Sequence, residues 1–173
     1  MLGDHGYFRK CEPYEGSANI PFIIAASPDL KFTAGLRPAQ PVCLEDIMPT
    51  LLELAGVPVH EQMTGKSLVN ILRSEKSGYI EDRKIMLAGK ERHDIGRPND
   101  WGYPVRAIRT PEFFYSHNYN PERWPACNPE TGLGNCDPGP TKSWIVDHKG
   151  EFYDLAFGYR DEEELYSLKD DPK

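Results

Sequence analysis

Asn19-Ile20-Pro21-Phe22-Ile23-Ile24-Ala25-Ala26 is a short, nearly continuous apolar run, closed by Ser27-Pro28-Asp29. Its length and lack of alternation predict a strand buried on both faces, as in a parallel sheet flanked by helices. A loop with Gly35, Pro38 and Pro41 follows. Leu44, Ile47, Met48, Leu51, Leu52 and Ala55 then recur at the spacing of one apolar helix face. Gly56 stands at the C-cap and Pro58 prevents resumption. Pro49 removes a hydrogen bond within this helix, which predicts a kink or a late start. Strand, loop and helix read as the last αβ unit of a larger sheet, so the fold class is α/β.

Downstream, Ser67 can cap a short helix through Leu68, Val69, Ile71 and Leu72. Residues 74–83 form a polar, Gly-containing connector, and the pattern beyond it turns to β. Lys84 to Ala88 is one strand candidate. Val105-Arg106-Ala107-Ile108-Arg109, Thr110-Pro111-Glu112 and Phe113-Phe114-Tyr115-Ser116-His117 read as strand, turn and strand. Arg106 and Arg109 are expected on the exposed face of that hairpin. Residues 121–140 are a long loop rich in Pro, Gly and Asn. Arg123 and Trp124 are expected to stack and fix this loop, and Trp144 and Tyr153 to lie in the core. Ser143 to His148 reads as helix and Glu164 to Leu168 as a final strand. Two domains follow: residues 1–75, the edge of a large α/β domain, and residues 76–173, a small antiparallel sheet packed with one or two helices.

A chain of 173 residues with 39% hydrophobic residues is long and apolar enough for a packed core. Its net charge of −7, with Asp161 to Glu164 and Asp170-Asp171 near the end, lacks the basic clusters that carry nucleic-acid affinity. No run approaches the roughly 18–20 apolar residues of a membrane span, and the N-terminus lacks a signal-peptide pattern. Four cysteines are too few for a disulfide scaffold. Cys127 and Cys136 can pair in an oxidising compartment or stand as free thiols.

Chemistry-bearing side chains concentrate at the start: Asp4, His5, Arg9, Lys10, Cys11, Glu12 and Glu15, just before the apolar run. Residues at strand ends of α/β sheets often line ligand crevices. A lysine fixed there suits an oxyanion, because its ammonium is a compact point charge. Taken alone, the same stretch also reads as a solvated charged loop.

Resemblance decides between these. Leu2-Gly3-Asp4-His5-Gly6, Lys10, and Tyr14-Glu15-Gly16-Ser17 with Pro21 resemble the sulfatase pattern L-G-D-H-x-x-x-x-K-x-x-x-Y-E-G-S-x-R-x-P. Leu44 to Leu72 is similar to that family's D-I-M-P-T-L-L-x-L-A-G helix and the G-x-S-L that follows. Glu164-Leu165-Tyr166-Ser167-Leu168-Lys169-Asp170-Asp171-Pro172 resembles its closing E-L-Y-D-L-x-x-D-P. The resemblance covers both ends of the chain. It implies the C-terminal part of an alkaline-phosphatase-like sulfatase fold, with the rest of the catalytic domain as partner. A secreted or periplasmic setting and a sulfated small molecule or glycan as substrate are also implied.

By that resemblance Lys10 is the lysine that contacts the sulfate group, with His5 beside it at the pocket rim. Asp4 and His5 admit a second reading as the family's calcium-binding Asp-His-Gly. Register against Lys10 favours the later Gly-Asp-His instead, which leaves the metal ligands outside the chain. Asn19 departs from the family's arginine, which puts one ion pair behind the loop in question. Gly89 to His93, Tyr103 to Arg109 and Asn118 to Pro125 resemble sulfatases related to heparan N-sulfatase. This implies Glu91, Arg92 and His93 as sugar or sulfate contacts.

Sulfatases convert a Cys or Ser within C/S-x-P-x-R to a formylglycine nucleophile. Cys11-Glu12-Pro13, Cys127-Asn128-Pro129 and Cys136-Asp137-Pro138 each begin that pattern. Glu15, Thr131 and Pro140 occupy the position that requires arginine. Calcium and formylglycine are therefore expected from sequence outside this chain, which alone is expected to be inactive. Two other functions fit the same residues: a non-catalytic module binding sulfated carbohydrate, and a phosphatase or phosphonate hydrolase on the same fold.

Overall fold

The computed structural model describes residues 10, 12–92, 98–125 and 139–171. In chain order the elements are α1 (Glu15–Ala18), α2 (Ile47–Leu54), α3 (Val69–Leu72), β1 (Met86–Lys90), β2 (Val105–Arg109), β3 (Phe113–Asn118), α4 (Pro140–Asp147), α5 (Glu151–Phe157) and β4 (Glu163–Ser167). They fall into two compact units. Residues 22–86 form one, and the described residues before Phe22 and after Met86 form the other. In this grouping the described residues of the N-terminal segment go with the C-terminal sheet.

The unit of residues 22–86 is organised by polar contacts as much as by apolar burial. Helix α2 is entered through a 3-10 turn, Leu44–Asp46. Pro49 falls in the first turn of α2, where its missing N–H has no helical partner to lose. A late start, not a kink, accommodates it. At the other end Gly56 adopts φ +69°, and its N–H donates to the Glu53 carbonyl at 3.0 Å while that of Val57 reaches Leu52 at 2.9 Å. This is a Schellman cap, as the Gly predicts. Ser67 accepts from the Val69 N–H at 3.2 Å at the entrance to α3. Thr50 ties the helices together: its hydroxyl donates to the Asp46 carbonyl at 2.6 Å and accepts from the Leu68 N–H at 2.9 Å. Leu68, Val69 and Ile71 are buried.

Two expectations fail in this unit. Residues 19–26 form no strand, and Ile23 is 88% exposed. A strand exists through its ladder partners, and none of the described residues pairs with this run. The apolar stripe of α2 is only half used. Leu44, Met48 and Leu51 are exposed while the opposite side meets α3.

The other unit holds a four-stranded sheet in the order β1-β2-β3-β4. Strand β3 is antiparallel to β2, with Ala107 opposite Ser116, and to β4, with Ser116 opposite Glu164. The β2–β3 turn closes where Thr110-Pro111-Glu112 predicts: the Thr110 N–H donates to the Phe113 carbonyl at 2.8 Å. The Thr110 hydroxyl accepts from the Phe113 N–H at 2.9 Å. One face of the sheet carries a core of Tyr14, Ala107 and Phe114, joined by Ala88, Tyr166 and Leu168. Helices α4 and α5 build a second cluster from Ile145, Tyr153, Ala156 and Phe157. Tyr153 is core as expected, but Trp144 is half exposed and stacks on His148 at 4.5 Å. Alternation along β2 places Arg106 and Arg109 on opposite faces, so only Arg106 is exposed. Arg123 and Trp124 stack on other partners than each other: Arg123 lies 4.9 Å from the Trp101 ring, and Trp124 stacks on Tyr159 at 4.3 Å.

Candidate functional site

Residues 12–15 form a strap across the inner face of the sheet, and Lys10 stands just before it. Each anchoring side chain of the strap meets a different strand. The Glu12 carboxylate lies 2.5 Å from the Lys90 ammonium at the end of β1, with side-chain exposures of 4% and 16%. Glu15 opens α1 and pairs with Arg109 of β2, Oε1 to Nε at 2.5 Å. Between them Tyr14 inserts its ring into the core, 5.7 Å from that of Phe114 and 6.1 Å from that of Tyr166. Its hydroxyl donates to Glu164 Oε2 on β4 at 2.8 Å.

Glu164 is a part-buried carboxylate held by hydroxyls and an amide. Besides Tyr14 it accepts from Ser116 at 3.1 Å, Asn118 at 3.3 Å and Tyr166 at 3.1 Å. Burial is the main cause that pushes the Tyr166 phenol up to about 12, with the charge of Glu164 and its hydrogen bond adding to it. Arg160 and Tyr14 offset part of that rise. The phenol therefore stays a donor throughout the neutral range.

Lys10 is exposed, and among the described residues it makes no ion pair. Asp4, His5 and His93 lie outside the described residues. Glu91 and Arg92 follow Lys90, so the Glu12–Lys90 pair ties the Lys10 end of the strap to the turn they occupy. Both are exposed and already engaged: Glu91 pairs with Arg106, and Arg92 with Asp100. The Gly102 backbone backs this turn, where a Cβ would come 2.4 Å from the Glu91 carbonyl oxygen. Arg123 donates to the Gly102 carbonyl at 3.0 Å.

Sequence reasoning missed the partners of the strap. Asn19 donates to Glu15 Oε2 at 2.9 Å, and the ion pair that Glu15 makes is with Arg109. The signal was present in the alternation of β2, which puts Arg109 on the same face as Val105 and Ala107. Nothing local marks Lys90 as the partner of Glu12, because that contact spans 78 residues.

Among the described residues no group of three or more His, Cys, Asp or Glu side chains is arranged to hold a metal. Asp4 and His5, the residues with a second reading as metal ligands, lie outside the described residues, and no Cys-x-Pro of the sequence is followed by the arginine that formylglycine formation needs. No helix among the described residues is long and apolar enough to cross a membrane.

Comparison with known proteins agrees with this architecture. Residues 3–86 match the family model of the N-sulphoglucosamine sulphohydrolase C-terminal region. An arylsulfatase of Clostridium perfringens is 41% identical over 78 residues, which is 44% of this chain and 16% of that protein. Human arylsulfatase K is 39% identical over 66 residues, 38% of this chain and 12% of that protein. Among solved structures, BT4656 in complex with its substrate D-glucosamine-2-N,6-O-disulfate superposes with a TM-score of 0.65 at 25% identity. That match covers 99% of this chain and 26% of the solved one. Fold and sequence together define the C-terminal part of an alkaline-phosphatase-like α/β architecture. The chain belongs to the sulfatase family, of which it represents a C-terminal portion.

Proposed function

We propose that this chain is the C-terminal share of an enzyme that hydrolyses sulfate esters or sulfamates of a sugar, and that Lys10 contacts the sulfuryl group. The observation that carries the reading is the strap, which presents an exposed lysine from a segment anchored to β1, β2 and β4. A lysine held in this way supplies fixed positive charge where negative charge gathers on the sulfuryl and leaving oxygens. Preorganisation matters because a charge already in place needs no reorganisation during reaction.

The substrate class follows from two supports. The solved relative that covers almost the whole chain holds a glucosamine bearing N- and O-sulfate, and the matching family model is that of an N-sulphoglucosamine sulphohydrolase. Glu91 and Arg92, with His5 and His93, are the contacts we assign to the sugar and its sulfate. In that role Glu91 and Arg92 exchange their ion pairs with Arg106 and Asp100 for hydrogen bonds to the sugar. Such exposed pairs are cheap to exchange.

Calcium and the formylglycine nucleophile belong to sequence outside this chain. The formylglycine side chain would supply the nucleophile and calcium its activation; the residues present here bind and orient the substrate. The test is sulfate release from 4-nitrophenyl sulfate by the 173-residue chain with added calcium. No release is expected, and sustained release would show that the catalytic groups lie within these residues.

A further inference from the structure

Glu164 has no role in the reading above, yet it is the side chain on which the inner face of the sheet converges. Its carboxylate collects hydrogen bonds from Tyr14, Ser116, Asn118 and Tyr166. Three of these donors belong to the sheet itself. The fourth, Tyr14, is the centre of the strap and lies four residues after Lys10.

We propose that Glu164 is a positioning residue for Lys10, acting through the Tyr14 hydroxyl. This rests on the reading of Lys10 as the sulfate contact and deepens it. Glu12 and Glu15 fix the strap at either side through long, charged side chains. The Glu12–Lys90 pair resists sliding poorly, since an ammonium on a four-carbon stem can follow its partner. Tyr14 has only two side-chain torsions, its ring is clamped between Phe114 and Tyr166, and its hydroxyl has a set acceptor at 2.8 Å. It therefore sets the register of the strap, and Glu164 sets Tyr14. The acceptor is in turn aimed by Ser116 and Asn118 of β3, so the last strand of the chain determines where the lysine at its start is held. A carboxylate serves better than an amide, because it accepts all four hydrogen bonds and offers no donor to compete with them.

The test is a titration of the 173-residue chain with sodium sulfate at constant ionic strength, followed by 1H–15N correlation spectra. It compares the unmodified chain with Tyr14→Phe, Glu164→Gln and Lys10→Ala. The heteronuclear NOE of the Lys10 amide is recorded before sulfate is added. Tyr14→Phe keeps the ring and its packing, and Glu164→Gln keeps one acceptor oxygen, so neither relies on survival of a cavity. In both we expect a lower NOE at Lys10, unchanged NOE values along β2 and β3, and an apparent sulfate affinity at least three-fold weaker. Lys10→Ala is expected to abolish the sulfate-dependent shifts. Tyr14→Phe and Glu164→Gln chains with the unmodified NOE and affinity would overturn the positioning role while leaving Lys10 as the contact. Sulfate shifts that survive Lys10→Ala, or are absent from the unmodified chain, would overturn the reading of Lys10 and this proposal with it.

Discussion

The Glu12 carboxylate and the Lys90 ammonium meet at 2.5 Å, and both side chains are largely withdrawn from solvent. The pair joins the start of the chain to the end of β1 across 78 residues. Few other contacts say so directly that the N-terminal segment folds with the sheet.

Removing the cation should be costly. Lys90→Met leaves the Glu12 charge buried without its ammonium, for which a loss of about 3–5 kcal/mol is expected. Lys90→Arg, which keeps the charge, should lose much less. Chemical denaturation followed by tyrosine fluorescence reads both; equal stability of Lys90→Met and the unmodified chain would contradict the pair's structural role.

Asp46 gives the other unit an acid-sensitive joint. Burial alone would raise its pKa. The N–H groups of Cys43 and Lys66 and the Arg83 guanidinium at 2.6 Å outweigh that and hold it below the usual value. A carboxyl depressed on folding contributes stability that is fully present above its unfolded pKa, about 3.9. That contribution is lost as pH falls through the lower, folded value. Unfolding of residues 22–86 followed against pH should therefore steepen below about pH 4. Asp46→Asn should be destabilised at pH 7 and should lose most of that dependence; an unchanged acid profile would show that Asp46 is not its source.

Glycines 56 and 65 should differ in cost. Gly56→Ala forces a Cβ onto φ +69° in open space, a penalty of about 1 kcal/mol. At Gly65 the added Cβ would lie 2.1 Å from the Glu45 carbonyl oxygen, so backbone must move. Thermal denaturation should rank Gly65→Ala well below Gly56→Ala, and the reverse order would count against this packing.

The apolar run of residues 20–26 should be the first site of proteolysis. Ile20, Phe22, Ile23 and Ile24 are all exposed, and thermolysin cleaves before such residues. Mass spectrometry of an early digest should find cuts between Ile20 and Ser27. First cuts within β2 or β3 would mean that the run is covered in solution.

These outcomes also mark what the sequence could disclose. The hairpin was legible because β2 and β3 alternate and Thr110-Pro111-Glu112 turns; the α2 cap was legible because Gly56 is the residue that a left-handed cap favours. Both depend on neighbours within a few residues. Residues 19–26 have the composition of a buried strand, but a strand needs a partner, and composition does not supply one. The exposed side of α2 fails for a similar reason: Leu44, Met48 and Leu51 announce a buried face without saying what buries it. Helix α5 was missed because residues 151–157 begin after Gly150 with no N-cap side chain. At the site, the motif singles out Lys10, whose role stands as a proposal, whereas nothing local singles out Lys90, Arg109 and Glu164 as anchors of the strap. Their roles arise from contacts between segments 78 to 150 residues apart.

The most direct test of the central claim is the activity of Lys10→Ala in the longer enzyme that the proposal requires, assayed on D-glucosamine-2-N,6-O-disulfate. Loss of one preorganised charge predicts a fall in kcat of about 10²–10³-fold with the fold intact. A kcat within a few-fold of the unmodified enzyme would contradict the assignment of Lys10 to the sulfate.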